Sequence, residues 1–209
     1  MQLQRFQQIS ESHCGPAVIQ MLLNAVDVST TQEAITRAAG AEETIEEKGT
    51  RIDQLARAVT IIAPRHIFWY KYYSSIEDIE YVLQRGYGVG VEWQGLFYDT
   101  IEEQEEEEDY GESGHYSIIS FLDQELEQLI LVDPYKDFAR QNRILPIEMF
   151  VRRWWDKNDI YDPVLGKTRT VIDEQLLFFV TPATELFPEE RGFKQFNSVR
   201  ASGVGSLGW

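Results

Sequence analysis

The first half of the chain carries apolar residues at helical spacing, separated by short polar breaks. Four helices are predicted, at residues 14–26, 31–39, 52–59 and 76–85. The first of them (CGPAVIQMLLNAV) is apolar on most of its faces, which indicates a central, buried helix. Pro16 falls in its first turn, where the missing N–H costs nothing.

The second half changes to short runs that are rich in β-branched and aromatic residues. Four strands are predicted, at residues 87–93, 116–122, 129–132 and 176–180. Helices that precede strands, rather than alternate with them, indicate an α+β fold with an antiparallel sheet in its C-terminal half.

Length and composition favour one folded domain. The chain has 209 residues, of which 43% are hydrophobic and 26% are charged. We predict a domain over residues 1–183 and a C-terminal tail over residues 184–209. Glycine, serine and basic residues dominate the end of this tail, from residue 191 onward, which is typical of an extended segment.

The net charge of −16 narrows the possible partners. Seven acids lie within residues 102–109, and the rest of the chain is also acidic. Such a chain repels phosphate backbones and anionic lipid, so we expect no nucleic acid partner and no membrane span, and favour neutral or basic partners. The sequence makes no prediction of oligomeric state.

Cysteine usage indicates a reducing compartment. Cys14 is the only cysteine, so an internal disulfide is excluded, and no Cys/His cluster could hold zinc. Residues 1–16 have no apolar run of signal-peptide length. We therefore expect a cytoplasmic protein with no metal and no organic cofactor.

Cys14 is the first candidate for chemistry. A thiol at the start of a helix lies where the helix dipole and free N–H groups favour the thiolate. The alternative is an inert core cysteine, because small buried cysteines are common. A thiolate nucleophile also needs a histidine as its general acid and base.

The chain offers three histidines for that role. His13 is adjacent to Cys14, but neighbouring side chains at a helix start diverge, so we interpret it as a surface or capping residue. His66 has no carboxylate nearby in the sequence and is interpreted as a strand or loop residue. His115 follows Gly114 and begins a predicted strand.

Hairpin geometry favours His115. The strands at residues 116–122 and 129–132 are joined by a short polar turn, so they should form an antiparallel pair. Residues 115 and 133 are equidistant from that turn, which predicts that Asp133 lies beside His115 and accepts its Nδ1 proton. Asp133 with Pro134 is equally typical of an ordinary turn that ends a strand.

An oxyanion needs hydrogen-bond donors. The backbone N–H of Cys14 is one candidate, because it lies at the helix start. Gln8, six residues upstream, could supply a side-chain amide, although glutamine is frequent in the first eight residues.

These residues, in this order, resemble a known family. Gln8, the Cys14-Gly15-Pro16-Ala17 helix start, Gly114-His115-Tyr116 and Asp133-Pro134 are similar to motifs of papain-like cysteine peptidases that process bacteriocin leaders at double-glycine sites. The resemblance covers residues 1–183 and is closer to the stand-alone members. It implies a papain-like α+β fold in which the central helix starts at the catalytic cysteine.

The resemblance also implies residue roles. Cys14 would be the nucleophile, His115 the acid and base, Asp133 its orienting partner and Gln8 the oxyanion donor. The expected function is a thiol protease that hydrolyses peptide bonds through a thioester, acting on a peptide or protein substrate for which basic peptides are a candidate class. The alternatives are an acyl transferase with the same triad and a catalytically silent binding or regulatory module.

Overall fold

The computed structural model describes residues 3–97, 114–162 and 165–196. The acidic block at residues 102–109 and the segment 197–209 lie outside the described residues, so expectations about them stay predictions.

The described part of the chain contains six α-helices. They are α1 (Cys14–Asn24), α2 (Gln32–Ala39), α3 (Ile45–Lys48), α4 (Ile52–Ile62), α5 (Ile76–Leu83) and α6 (Ile147–Arg153). The four predicted helices are confirmed as α1, α2, α4 and α5. Local signals fix their ends: the Thr31 side chain accepts from the Ala34 N–H at the start of α2, and Gly40 ends that helix in the left-handed conformation (φ 70°).

Nine strands are described. They are β1 (His66–Lys71), β2 (Val89–Gln94), β3 (Gly114–Asp123), β4 (Gln128–Val132), β5 (Asn142–Pro146), β6 (Trp155–Asp162), β7 (Lys167–Glu174), β8 (Leu177–Pro182) and β9 (Lys194–Gln195). Seven form an antiparallel sheet in the order β5-β4-β3-β2-β8-β1-β9, and β6 with β7 forms a separate hairpin. The predicted α+β fold is confirmed.

The sheet separates two apolar cores. Neighbouring residues of β8 alternate between them: Phe178 packs with α1 and the other N-terminal helices, whereas Phe179 packs with Trp69 and Trp93. Side chains of adjacent strand residues point to opposite faces, so the cores lie on the two sides of the sheet. Helix α1 is therefore held between helices and sheet, as its apolar faces predicted.

The first residues of the predicted tail, 184–196, pack against the domain. Phe187 and Phe193 are buried in the second core, where the first ring is tilted against Phe179 and the second meets it edge-on. Strand β9 pairs with β1 through Trp69 and Tyr70. Three large aromatic side chains between residues 187 and 196 bury too much apolar surface for a solvated tail, so the folded unit includes these residues.

None of the helices in the three described ranges is long and apolar enough to cross a membrane.

Candidate active site

Cys14 opens helix α1 and is 8% exposed. Its thiol lies close enough to the His115 ring to raise the pKa of that histidine. The first N–H groups of a helix have no intrahelical acceptor and carry partial positive charge, so a thiolate at this position is favoured. The structure therefore brings the predicted nucleophile and the predicted base together, although 101 positions of sequence separate them.

His115 and Asp133 are paired and buried. His115 Nε2 lies 2.8 Å from Asp133 Oδ1, and the two side chains are 3% and 0% exposed. The prediction that the residues are neighbours is confirmed, but the predicted Nδ1 contact is wrong. Since Nε2 donates to Asp133, Nδ1 is the ring nitrogen left for the thiol of Cys14.

Electrostatics stabilise the charged form of this pair. Burial alone would lower the pKa of His115, but the Asp133 carboxylate and Cys14 outweigh burial and raise it from 6.5 to about 10. Burial would raise the pKa of Asp133, and the charges of His115 and Arg143 outweigh it and hold that pKa well below its usual range. The arrangement therefore supports an imidazolium that is paired with the Asp133 carboxylate.

Gln8 lies at the site, but its amide is engaged. Its backbone N–H donates to the Pro134 carbonyl (2.9 Å), which places it next to Asp133. Its Nε2 donates to the carbonyl oxygens of Ser10 (2.8 Å) and Glu11 (3.0 Å). To serve an oxyanion, Nε2 has to exchange one of these carbonyls for the substrate oxygen.

The other two histidines lie outside this constellation. His66 begins β1 opposite Pro182, three strands away from β3 in the sheet. Of the two predicted roles for His13, surface or capping residue, the structure agrees with the second, because His13 is the N-cap residue of α1, although without a side-chain cap hydrogen bond. The residue is buried, and its Nδ1 lies 2.6 Å from Ser10 Oγ. Ser10 Oγ also donates to Glu46 (3.0 Å), so His13 helps to order the turn before Cys14.

Sequence reasoning missed three neighbours of the pair. Arg143 Nη1 donates to Asp133 Oδ2 (2.6 Å), and the Phe97 ring packs edge-on against His115 (5.1 Å between centroids). The Tyr135 N–H donates to Asp133 Oδ1 (2.9 Å). A signal for Arg143 exists in the sequence, because it alternates with Leu145 on the inward face of β5.

A second cluster of buried polar side chains comes from strands β2, β6 and β7. Glu92, Asp156 and Asp173 are each at most 7% exposed, and Tyr116 Oη donates to Glu92 Oε1. Burial raises the pKa values of Asp156 and Asp173 to about 6 each. Burial and the charges of these two aspartates raise the pKa of Glu92 well above its usual value. Carboxyl groups in this arrangement share protons. Across the described ranges, no cluster of His, Cys, Asp and Glu side chains has the arrangement of a metal site.

A pocket that is partly open to solvent, with a cavity volume of about 170 Å³, lies between α4, β1 and the β6–β7 hairpin. Aromatic side chains such as Tyr70 and Phe196 line the pocket. Asp173, one of the three buried carboxyl groups described above, lines it as well. Cys14 and His115 do not line it, so the candidate active site rests on the side-chain constellation and not on this cavity.

Comparison with known proteins agrees with the geometry. A family model described as the Peptidase_C39 like family matches residues 1–159. No curated protein sequence matches the chain.

Three solved structures share the fold at low sequence identity. The peptidase domain of Streptococcus ComA, a bifunctional ABC transporter involved in quorum sensing, is 15% identical with a TM-score of 0.56, over 87% of this chain and 99% of that one. A double-glycine motif protease from an AMS/PCAT transporter, solved with its leader peptide, is 12% identical with a TM-score of 0.51, over 87% and 92%. A C39-like peptidase from Bacillus anthracis is 15% identical with a TM-score of 0.58, over 86% and 96%.

The family match covers most of the chain and the fold is that of C39 peptidase domains, so family and fold together support a cysteine peptidase. The chain belongs to the Peptidase_C39 like family.

Proposed function

We propose that this protein is a cysteine peptidase that hydrolyses peptide bonds with Cys14, His115, Asp133 and Gln8. The observation that carries the proposal is the buried hydrogen bond between His115 and the Asp133 carboxylate, with the Cys14 thiol at the start of α1 close enough to raise the pKa of His115. A nucleophile, a general base and an orienting group in hydrogen-bond contact are the arrangement that covalent amide hydrolysis requires.

The reaction proceeds in two steps. The Cys14 thiolate attacks the peptide carbonyl carbon, and the resulting oxyanion accepts a hydrogen bond from the Cys14 N–H and one from Gln8 Nε2. The His115 imidazolium then protonates the leaving amine as the C–N bond breaks, which leaves a thioester on Cys14. Neutral His115 next takes a proton from water, whose oxygen attacks the thioester, and the acid product and the thiolate are released.

Peptides are the proposed substrates. The double-glycine motif protease with a similar fold binds a leader peptide, which supports peptide segments of this kind as the substrate class. The acidic composition favours basic peptides among them. A free Cys14 needs reducing surroundings, which supports a cytoplasmic location.

The decisive experiment combines labelling with turnover. Iodoacetamide should label Cys14 in the native protein well below pH 8, and a peptide library should be cleaved by the wild type but not by Cys14→Ala or His115→Ala. His66→Ala serves as the matched control and should retain activity, because His66 lies three strands away. Labelling only after unfolding would favour a silent binding module, and amine-dependent product formation would favour an acyl transferase.

A further inference from the structure

Arg143 is buried next to the candidate triad and has two acceptors. It is 9% exposed, its Nη1 donates to Asp133 Oδ2 (2.6 Å) and its Nη2 donates to the Leu96 carbonyl oxygen. Its guanidinium lies over the Phe138 ring, 3.8 Å from the centroid. A planar guanidinium that stacks on a ring and binds two acceptors holds them in a fixed relative geometry.

The contact restricts how Asp133 can turn. Oδ1 accepts from His115 Nε2 (2.8 Å) and from the Tyr135 N–H (2.9 Å), while Oδ2 accepts from Arg143. Because both oxygens are occupied, rotation of the carboxylate would break hydrogen bonds on both sides. Arg143 therefore keeps Oδ1 directed at His115.

The contact of Arg143 with the Leu96 carbonyl connects it to Phe97, an aromatic neighbour of His115. Leu96 precedes Phe97, whose ring packs edge-on against His115. By binding the Leu96 carbonyl, Arg143 anchors the backbone that carries this ring. One side chain thus connects the carboxylate and the aromatic neighbour of His115.

The positive charge of Arg143 disfavours the positively charged imidazolium form of His115. Both cations bind one buried carboxylate, so each reduces the stabilisation that Asp133 gives the other. Among the residues that the structure describes, the other titratable groups near His115 are Cys14 from α1 and Asp156, whose carboxyl packs against Gly114. The Glu11–Lys136 ion pair in the surrounding loops is exposed and therefore screened.

We propose that Arg143 is a positioning residue, which fixes Asp133 for His115 and whose charge limits the pH range over which His115 stays protonated. This inference rests on the proposed function, and it adds a fourth side chain to the Cys14, His115 and Asp133 set.

Two substitutions separate charge from geometry. Arg143→Gln removes the charge, and Arg143→Lys keeps it but cannot bind Asp133 and the Leu96 carbonyl in one plane. Arg140→Gln is the matched control, since Arg140 is an exposed arginine in the preceding turn. The first readout is the NMR titration midpoint of His115 in a Cys14→Ala background, where the loss of the thiolate brings that midpoint to a lower, accessible pH.

Both Arg143 variants lose the geometry, so the difference between them measures the charge: the His115 midpoint should be about 0.5 to 1 pH unit higher in Arg143→Gln than in Arg143→Lys, and unchanged in Arg140→Gln. With Cys14 restored, both Arg143 variants should lose at least about 10-fold in kcat with little change in KM. Equal midpoints in folded Arg143→Gln and Arg143→Lys would overturn the inference.

If Arg143→Gln does not fold, Arg143→Lys still decides the matter, because wild-type kcat in that variant overturns the positioning role. A failure of the proposed function is separate from these outcomes, since it would appear as undiminished hydrolysis by Cys14→Ala with intact Arg143.

Discussion

His115 and Asp133 are diagonal neighbours across the β3–β4 ladder, not directly opposed residues. In this part of the ladder Ile118 pairs with Val132 and Ile119 with Leu131, so the next position places Asp133 opposite Ser117. Ser117 and His115 are two residues apart and share a face of β3. Diagonal neighbours on one face are within reach of long side chains, which accounts for the 2.8 Å contact.

A β-bulge produces this register. Near the turn Phe121 pairs with Ile130, and the register shifts by one between Phe121 and Ile119, which leaves Ser120 as the extra residue. If the turn-side register continued without the bulge, Asp133 would oppose Ile118 and lie on the other face from His115. The bulge therefore decides whether the base and its orienting carboxylate meet.

Asp133→Asn should move the alkaline limb of the pH–rate profile to lower pH. The substitution keeps the size of the side chain but removes the charge that raises the pKa of His115 to about 10, so the imidazolium is lost earlier as pH rises. We expect kcat at pH 8 to fall at least about 10-fold. The check is kcat/KM measured from pH 5 to 10.5, and an unmoved alkaline limb would contradict the assignment of Asp133.

Gln8→Ala should lower both activity and stability. Loss of an oxyanion donor costs roughly 10²-fold to 10³-fold in kcat. The same amide holds the Ser10 and Glu11 carbonyls, so the melting temperature should also fall. Gln7→Ala, an exposed neighbour, is the control and should change neither quantity. A melting shift without any kcat loss would leave Gln8 as a structural residue only.

Glu92→Gln should stabilise the protein at pH 8 more than at pH 5. The folded-state pKa values of Glu92, Asp156 and Asp173 are raised, so the folded state binds more protons than the unfolded chain above about pH 4. Stability is consequently lost as pH rises through about 6. Glutamine keeps an acceptor for Tyr116 Oη and removes one buried charge.

Urea unfolding at the two pH values measures this effect, with the exposed Glu125→Gln as control. Equal gains at pH 5 and pH 8 would show that burial of charge at Glu92 is not the cause.

Gly114→Ala should lower kcat, and adding Asp156→Ala should restore part of the lost kcat. A Cβ at residue 114 would lie 2.6 Å from Asp156 Oδ1, so Asp156 or the start of β3 has to move. Because His115 is the next residue, the displacement should lower kcat by about 10-fold or more. Gly114→Ala combined with Asp156→Ala should recover part of the loss, and a double variant no better than Gly114→Ala would exclude this clash.

Much of the candidate site could be predicted from residue patterns, because its reactive side chains lie at the ends of helices and strands. Cys14 before an apolar helix and His115 before a strand can be recognised locally, and the short turn places Asp133 near His115. The ring nitrogen was predicted wrongly, since the sequence contains no information on which face of the imidazole meets the thiol. Arg143 was missed because β5, on which it alternates with Leu145, has only five residues, so the signal is weak.

Strands β6 and β7 could not be predicted from the sequence pattern. Their sequences, WDKNDIYD and KTRTVIDE, are too polar for the strand pattern, because the hairpin forms its own sheet and contributes no residue to the two described apolar cores. Asp156 and Asp173 are buried by a tertiary contact with β2 that no local pattern encodes. Such contacts outweigh intrinsic strand propensity.

Strand β9 has a consequence for solubility. In the described sheet it lies outside β1, so it occupies backbone groups of β1 that would otherwise form a bare edge. Bare edges pair with other chains and initiate aggregation, particularly when aromatic side chains lie next to them as Phe68 and Trp69 do here. Pairing of Lys194 and Gln195 with β1 therefore protects this edge against β-pairing between molecules, and we expect versions of the protein that end before Lys194 to aggregate more readily.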